Sequence, residues 1–464
     1  MSKYLYGASI QGIQEFIFET NKLKEIIGAS EIVKSIKEDV ERYVEKDDNI
    51  LLNAAGNVKI VFASKERAEK IVYEFTKKIS QKAYGITISQ AVVQIKGDIP
   101  DEDEFFLLEQ RLQVQRNIPQ IPLDYFFSIM EKSPRTAKAA YTLTDGKPVD
   151  YGTYQKLRAF EDEKKKDPGI KTDLSQLSNS KNKIAVIHAD GNSLGKIVPV
   201  IAEKSDLSAF SENLNTATED AFKRAQSVVK NKKIRKIILG GDDMTCIVDA
   251  DCAMEFIYEY LKAFEEETSK IKQLKDIGKE NLTACAGVAI VNEKYPVYYA
   301  LGLAEELCSI AKTESKAVDE SAPSSVKFYN LQSGNFQNFE LLKQNELSVK
   351  SDEEISFDYG VYYINRKPKL EDFNKLCDVL NEENSPKTKL REWLKTLSES
   401  KKLADLELIR INEMTEREWK EKFNGLIKNF DERLSLENLI VEGKTPVYDL
   451  IQIVSNTTRR NDDN

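Results

Sequence analysis

Apolar and polar positions along this chain change period repeatedly, and the changes mark out its elements. "YLYGASIQGIQEFIF" (residues 4–18) reads as a strand running into a loop. "NKLKEIIGASEIVKSIKEDVERYV" reads as a helix. "NILLNAAGNVKIVFAS" reads as two short strands around Ala55-Gly56-Asn57, a hairpin signal. "KERAEKIVYEFTKKISQKA" has helical spacing, and "GITISQAVVQI" alternates like a strand. The order then recurs. "KIAVIH" (183–188) is a strand followed by the loop "ADGNSLG", and "LNTATEDAFKRAQSVVK" is helical. "KIILGGDDMTCIV" is a hairpin on a central pair of strands, "DCAMEFIYEYLKAFEEETSK" a helix and "LTACAGVAIV" a strand. "PVYYALGLAEELCSIAKT" closes the series as a helix.

The shared order of strand, helix, hairpin, helix and strand predicts an internal duplication. Each copy is expected to be a ferredoxin-like antiparallel sheet with helices on one face. Residues 161–182 are charged and rich in turn formers, as in a linker or exposed loop. After about residue 330 the pattern is charged and helical, and the tail "SNTTRRNDDN" is expected to fray. The expected class is α+β. Residues 1–100 form the first copy, 101–180 an insert and linker, 181–330 the second copy and 331–464 a helical domain.

Composition narrows the function. Among the 464 residues, Asp and Glu (77) outnumber Lys and Arg (68), which argues against a chain-wide basic nucleic-acid clamp. No apolar run approaches a membrane span, and the N-terminus has no signal-peptide pattern, so a cytoplasmic location is expected. Five scattered cysteines form no CxxC pair, so neither a disulfide framework nor a cysteine zinc site is expected. One histidine, His188, makes a Ser-His-Asp triad improbable and reads as a packing residue.

The candidate chemistry lies in the second copy. Asp190 leaves the end of one strand, and Asp242 and Asp243 follow Gly240 and Gly241 in the hairpin turn. Successive strand side chains alternate, so one of the two turn carboxylates should face the working surface more directly. In a ferredoxin-like sheet the first strand lies beside the hairpin, which makes Asp190 a neighbour of the turn. Such carboxylates form a hard oxygen site suited to two Mg²⁺ or Mn²⁺ ions. Ions there can activate a ribose 3′-hydroxyl and stabilise a leaving pyrophosphate. The loop Gly191-Asn192-Ser193-Leu194-Gly195 opens a helix, and its N–H groups could cradle a triphosphate. Lys312, near the end of the last helix, could meet the same phosphates. The first copy has Ser9 or Ile10 at the place of Asp190, and Ala55-Gly56-Asn57-Val58 at the place of the turn.

Several motifs in this order resemble one family: "ADGNSLG", "ILGGDDMTCIV", "ACAGVAIV" and "AEELCSIAK", with "IQGIQEFIFETNKLKEIIGASEIV" near the start. The chain resembles the large palm-domain subunit of type III CRISPR effector complexes, the cyclic oligoadenylate synthetase family. The resemblance implies two ferredoxin-like palm domains and a closing helical domain. It implies ATP as substrate, joined through 3′–5′ linkages into cyclic oligonucleotides in antiviral defence. It carries Asp190, Asp242 and Asp243 over as metal ligands and catalytic residues, and Gly240 and Gly241 as shapers of the turn. Asn192, Ser193 and Lys312 are carried over as phosphate or nucleotide contacts, and Ser30 in the first palm as a contact to a second nucleotide. CRISPR effector subunits and guide or target RNA are the implied partners, and the sequence is also compatible with a homodimer. The family's His-Asp nuclease and cysteine zinc module are not expected here, so this reads as a reduced member. Two other readings stand beside it: a non-catalytic scaffold subunit, and a GGDEF-like cyclase that uses GTP.

Overall fold

The computed structural model describes residues 3–54, 56–118, 127, 129–229, 233–332, 338–350 and 353–457. The end of the tail expected to fray (458–464) lies outside them. The chain divides into two compact units: Met1–Asp173 with Val200–Asn215, and Leu174–Pro199 with Thr216–Asn464.

The first unit opens with β1 (Lys3–Gln11), α1 (Ile13–Phe18), α2 (Leu23–Glu41), β2 (Asn49–Ala54), β3 (Asn57–Phe62), α3 (Lys65–Lys82) and β4 (Thr87–Ile95). Residues 13–18, expected as loop, are helical instead. Phe16, Ile17 and Phe18 are all buried in that turn of helix, which offsets the weakness of so short an element. The sheet order is β2-β3-β1-β4, the ferredoxin-like arrangement. Residues 5–10 of β1 are all buried, the mark of a strand covered on both faces. The expectation of helices on one face is therefore corrected. α4 (Glu102–Arg116), opened by a complete Asp101/Glu104 capping box, covers the second face. Its Leu108 and Leu112 pack on Leu5, Val61, Val93 and Ile95. β5 (Ala140–Thr144) and β6 (Lys147–Asp150) form a hairpin. The stretch expected as a linker begins inside α5 (Tyr151–Lys166), which packs against α2.

The second copy repeats the topology with β7 (Lys183–Gly191), α6 (Leu194–Lys204), α7 (Leu207–Gln226), β8 (Ile234–Gly240), β9 (Asp243–Asp249), α8 (Ala253–Thr268), α9 (Lys272–Asp276) and β10 (Ala284–Asn292). α10 (Val297–Val318) and β11 (Ser325–Asn330) follow. Strands β10-β7-β9-β8 take the places of β4-β1-β3-β2. The duplication read from the element order is thus repeated in strand pairing. β8 is the sheet's edge rather than a central strand, in keeping with Arg235 and Lys236 on it. The sheet grows at its other end, where β11 pairs parallel to β10.

The C-terminal region is mainly helical: α11 (Phe339–Leu342), α12 (Leu370–Leu380), α13 (Lys387–Glu399), α14 (Lys401–Met414), α15 (Arg417–Ile427) and α16 (Val447–Asn456). It also holds the hairpin β12 (Ser348–Lys350) and β13 (Glu354–Ser356), and β14 (Tyr362–Tyr363), which pairs with β11 and so joins the second sheet. The fold is α+β, with two ferredoxin-like palms and a helical region. Among the described residues, no helix is long and apolar enough to cross a membrane.

α10 matters most for the site. A Cβ on Gly287 of β10 would lie 1.9 Å from the Ala304 carbonyl oxygen and 2.6 Å from the Cys308 nitrogen. Only glycine lets the helix backbone lie this close to the sheet. Gly287→Ala is expected to destabilise the second unit by at least ~2 kcal/mol, because both clashing atoms are backbone. Urea unfolding measures this, and an unchanged midpoint would contradict the packing.

Candidate metal and nucleotide site

The strand β7 is buried from Ile184 to Ala189, and its ladder with β9 ends at Ala189 opposite Met244. One residue further along, Asp190 emerges opposite Asp243, the first residue of β9. Asp242 belongs to the turn, not to the strand. Strict alternation therefore does not apply to the pair, and both carboxylates reach Asp190. The three side chains offer oxygens that all lie within 4.8 Å of one another. The expectation that one carboxylate would face the site more directly is corrected by this convergence.

Two glycines make the approach possible. Gly241 has φ 63°, a left-handed conformation that a side chain disfavours, and its carbonyl accepts a hydrogen bond from Thr218 Oγ1 at 2.6 Å. A Cβ on Gly191 would lie 2.6 Å from the Asp242 Cβ. Gly191→Ala should therefore push the turn away from Asp190. We expect Mn²⁺ affinity, measured by calorimetry, to fall at least tenfold while the rest of the palm stays folded. Undiminished affinity would separate the glycine from the site.

Electrostatics agree with the geometry. Burial, then the charge of Asp190, pushes the Asp242 carboxyl up to about 7. Burial, then Asp242 and Asp190, pushes Asp243 up to about 7 as well. Three carboxylates this close resist simultaneous ionisation. Lys312 on α10 partly compensates them. Its ammonium pairs with Asp190 and donates to the Gly191 carbonyl at 3.0 Å. Burial lowers the Lys312 pKa, but the hydrogen bond and charge of Asp190 outweigh it, so the net shift is upward. The donor set is all-oxygen, crowded and under-neutralised, which fits a divalent cation of the Mg²⁺ or Mn²⁺ kind.

The other expected residues divide. Ser193 takes φ 65° and its carbonyl accepts from Lys196 and Ile197, which starts α6. Gly195 lies in the exposed first turn of α6, and a Cβ there would meet nothing. Gly240 ends β8 opposite Asp243. Asn192 turns inward: it is 3% exposed, and its amide nitrogen donates to Thr283, Cys285 and the Ala322 carbonyl. In the structure it anchors the loop from behind. Ser30 is buried on α2 of the first unit. His188 is buried against Thr245 Oγ1 at 3.0 Å, and burial lowers it to about 4, the packing role expected of it. Cys246, Cys285, Cys308 and Cys377 are buried thiols and Cys252 is partly buried, all of them free.

Two residues escaped the sequence. Tyr260 on α8 is fully buried, its hydroxyl has no hydrogen-bond partner, and it feels the charges of Asp242 and Asp243. Glu305 shares a face of α10 with Lys312, seven residues on, and its charge raises Asp243. Both lie in helical runs that read as ordinary amphipathic pattern, so no sequence signal marked them.

Residues 183–318 match the family model for Cas10/Cmr2, second palm domain. This segment is a Cas10/Cmr2 second palm domain. The resemblance drawn from the motifs is borne out there. The palm's matched range opens at β7 and ends with α10, so it holds all three aspartates and Lys312. The fold extends the likeness. A crystal structure of a Csm1-Csm4 cassette in complex with cA4 matches with TM-score 0.54 and 14% identity, covering 98% of this chain and 69% of that chain. A second Csm1-Csm4 cassette, in complex with AMPPNP, matches with TM-score 0.53 and 14% identity over 98% and 70%. Csm1 of T.onnurineus matches with TM-score 0.51 and 15% identity over 98% and 69%. No curated protein sequence matches.

Proposed function

We propose that the Cas10/Cmr2-type palm of this chain is a metal-dependent nucleotidyltransferase that joins ATP into cyclic oligonucleotides. The convergence of the Asp190, Asp242 and Asp243 oxygens within 4.8 Å carries this reading. Asp190, Asp242 and Asp243 would hold two divalent ions, which would supply activation of a ribose 3′-hydroxyl and charge neutralisation at the leaving pyrophosphate. The chain's own residues do the rest. Gly191 and Gly241 let the turn close on Asp190. The Asp242 and Asp243 carboxyls give up protons as a cation binds. Lys312 holds Asp190 in place and sets a positive charge beside the anionic substrate. The N–H groups at the start of α6 are open to a phosphate, with exposed Gly195 among them. Complexes of related cassettes with cA4 and AMPPNP support adenine nucleotides as the substrate class. By the same analogy the chain would work in an antiviral effector beside a Csm4-like subunit, with Ser30 touching a second nucleotide.

The test incubates the purified protein with each NTP and Mn²⁺ or Mg²⁺ and reads the products by mass spectrometry. Cyclic adenylates are expected. Products from GTP alone would favour the GGDEF-like reading. Failure to bind either metal or any nucleotide would leave only a scaffold.

A further inference from the structure

The C-terminal region carries an open cleft of about 550 Å³ that shares no residue with the acidic turn. One wall is α13. Its Leu390, Trp393 and Leu397 face the core, which leaves Arg391 and Lys395, four residues apart, side by side on the cleft with Leu394 between them. The opposite wall is α16, with Tyr448 and Gln452 again four apart. Phe357 lies behind Tyr448, the two rings stacked at 5.1 Å and 14°.

The described lining is unbalanced in charge. Among the described residues its one acid is Glu346, which accepts from the Tyr329 hydroxyl at 2.7 Å. Against it stand two cations. Arg391 spends one nitrogen on Ser455 Oγ at 2.6 Å, which steadies the guanidinium and leaves its other N–H groups to the cleft. Gln452 is 3% exposed. Its amide oxygen accepts from the Asn330 N–H at 3.3 Å, and its amide group also hydrogen-bonds the neighbouring Tyr448 hydroxyl. A volume of this size suits a small metabolite. A paired Arg and Lys suit a phosphate.

We propose that this cleft binds a small phosphorylated molecule with a planar ring, of nucleoside monophosphate class. The phosphate sits on Arg391 and Lys395. The ring lies beside Tyr448.

The test uses the full chain carrying Asp242→Ala and Asp243→Ala, in EDTA, so that the acidic turn contributes no metal-bound nucleotide. The proposal is thereby independent of the cyclase reading. AMP is the probe, with adenosine and inorganic phosphate beside it, and hydrogen–deuterium exchange is the readout. AMP is expected to protect residues 391–398 and 448–455. Arg391→Glu with Lys395→Glu should weaken AMP at least tenfold and remove that protection at an unchanged Tm, both side chains being exposed. Tyr448→Leu should weaken AMP several-fold without affecting inorganic phosphate. Absence of protection at millimolar AMP overturns the proposal, as does protection that survives the charge reversal. Protection by inorganic phosphate equal to that by AMP overturns the assignment of a ring-bearing ligand.

Discussion

Replacing Asp242 and Asp243 together by alanine should abolish metal-dependent nucleotide joining, a loss on the order of a thousandfold or more, ~4 kcal/mol of barrier. The protein should nevertheless remain folded. Both aspartates are pushed up to about 7 by burial and by neighbouring carboxylates, so at pH 8 without metal they repel one another and Asp190. Removing them relieves that repulsion. Alanine keeps the Cβ of Asp242 and leaves Gly240 and Gly241 to shape the turn. We therefore expect an unchanged or higher Tm in EDTA, beside a flat product assay. A fall in Tm of ten degrees would mean that the aspartates serve the turn's structure. Retained turnover would remove them from the chemistry.

Metal binding should be strongly coupled to pH. An unfolded aspartate titrates near 3.9. The folded pair titrates up to about 7, so the native protein holds protons that the unfolded chain has released. The pair's contribution to stability without metal is present below about pH 4. It is lost as pH rises through about 7. A divalent cation reverses the slope, because it needs the ionised carboxylates and displaces their protons. In EDTA, Tm should fall between pH 5 and 8. In millimolar Mn²⁺ the stabilisation should grow over the same interval, with affinity rising tenfold or more. Calorimetry in two buffers of different ionisation enthalpy should detect net proton release near pH 6.5, shared between coupled groups rather than assigned to one. A metal affinity independent of pH would contradict the site.

Much of this was legible in the chain. The order of apolar periods gave both ferredoxin-like units, because each strand and helix carries its own burial pattern and the order recurs. GGDD between apolar runs marked the turn, since two adjacent glycines permit backbone that other residues resist. The short helix at 13–18 was missed because its burial comes from tertiary contacts, which local pattern does not encode. Residues 101–180 were read only as an insert and linker for a related reason. α4 faces the sheet with only a narrow apolar stripe, so its assignment to the second face of β1 is a fact of packing.

The sequence by itself determined the acidic residues, their spacing and the strand ends that bear them. These follow from local periodicity and from glycine's backbone freedom. Tertiary structure alone decided what those residues meet. Gly287 lets α10 lie against β10 so that Lys312 reaches Asp190. Gly191 lets Asp242 approach, and Asn192 is drawn inward to hold the loop. It also pushed the two turn aspartates up to about 7. Burial and the closeness of like charges set that value, and both arise only when segments distant in sequence are brought together.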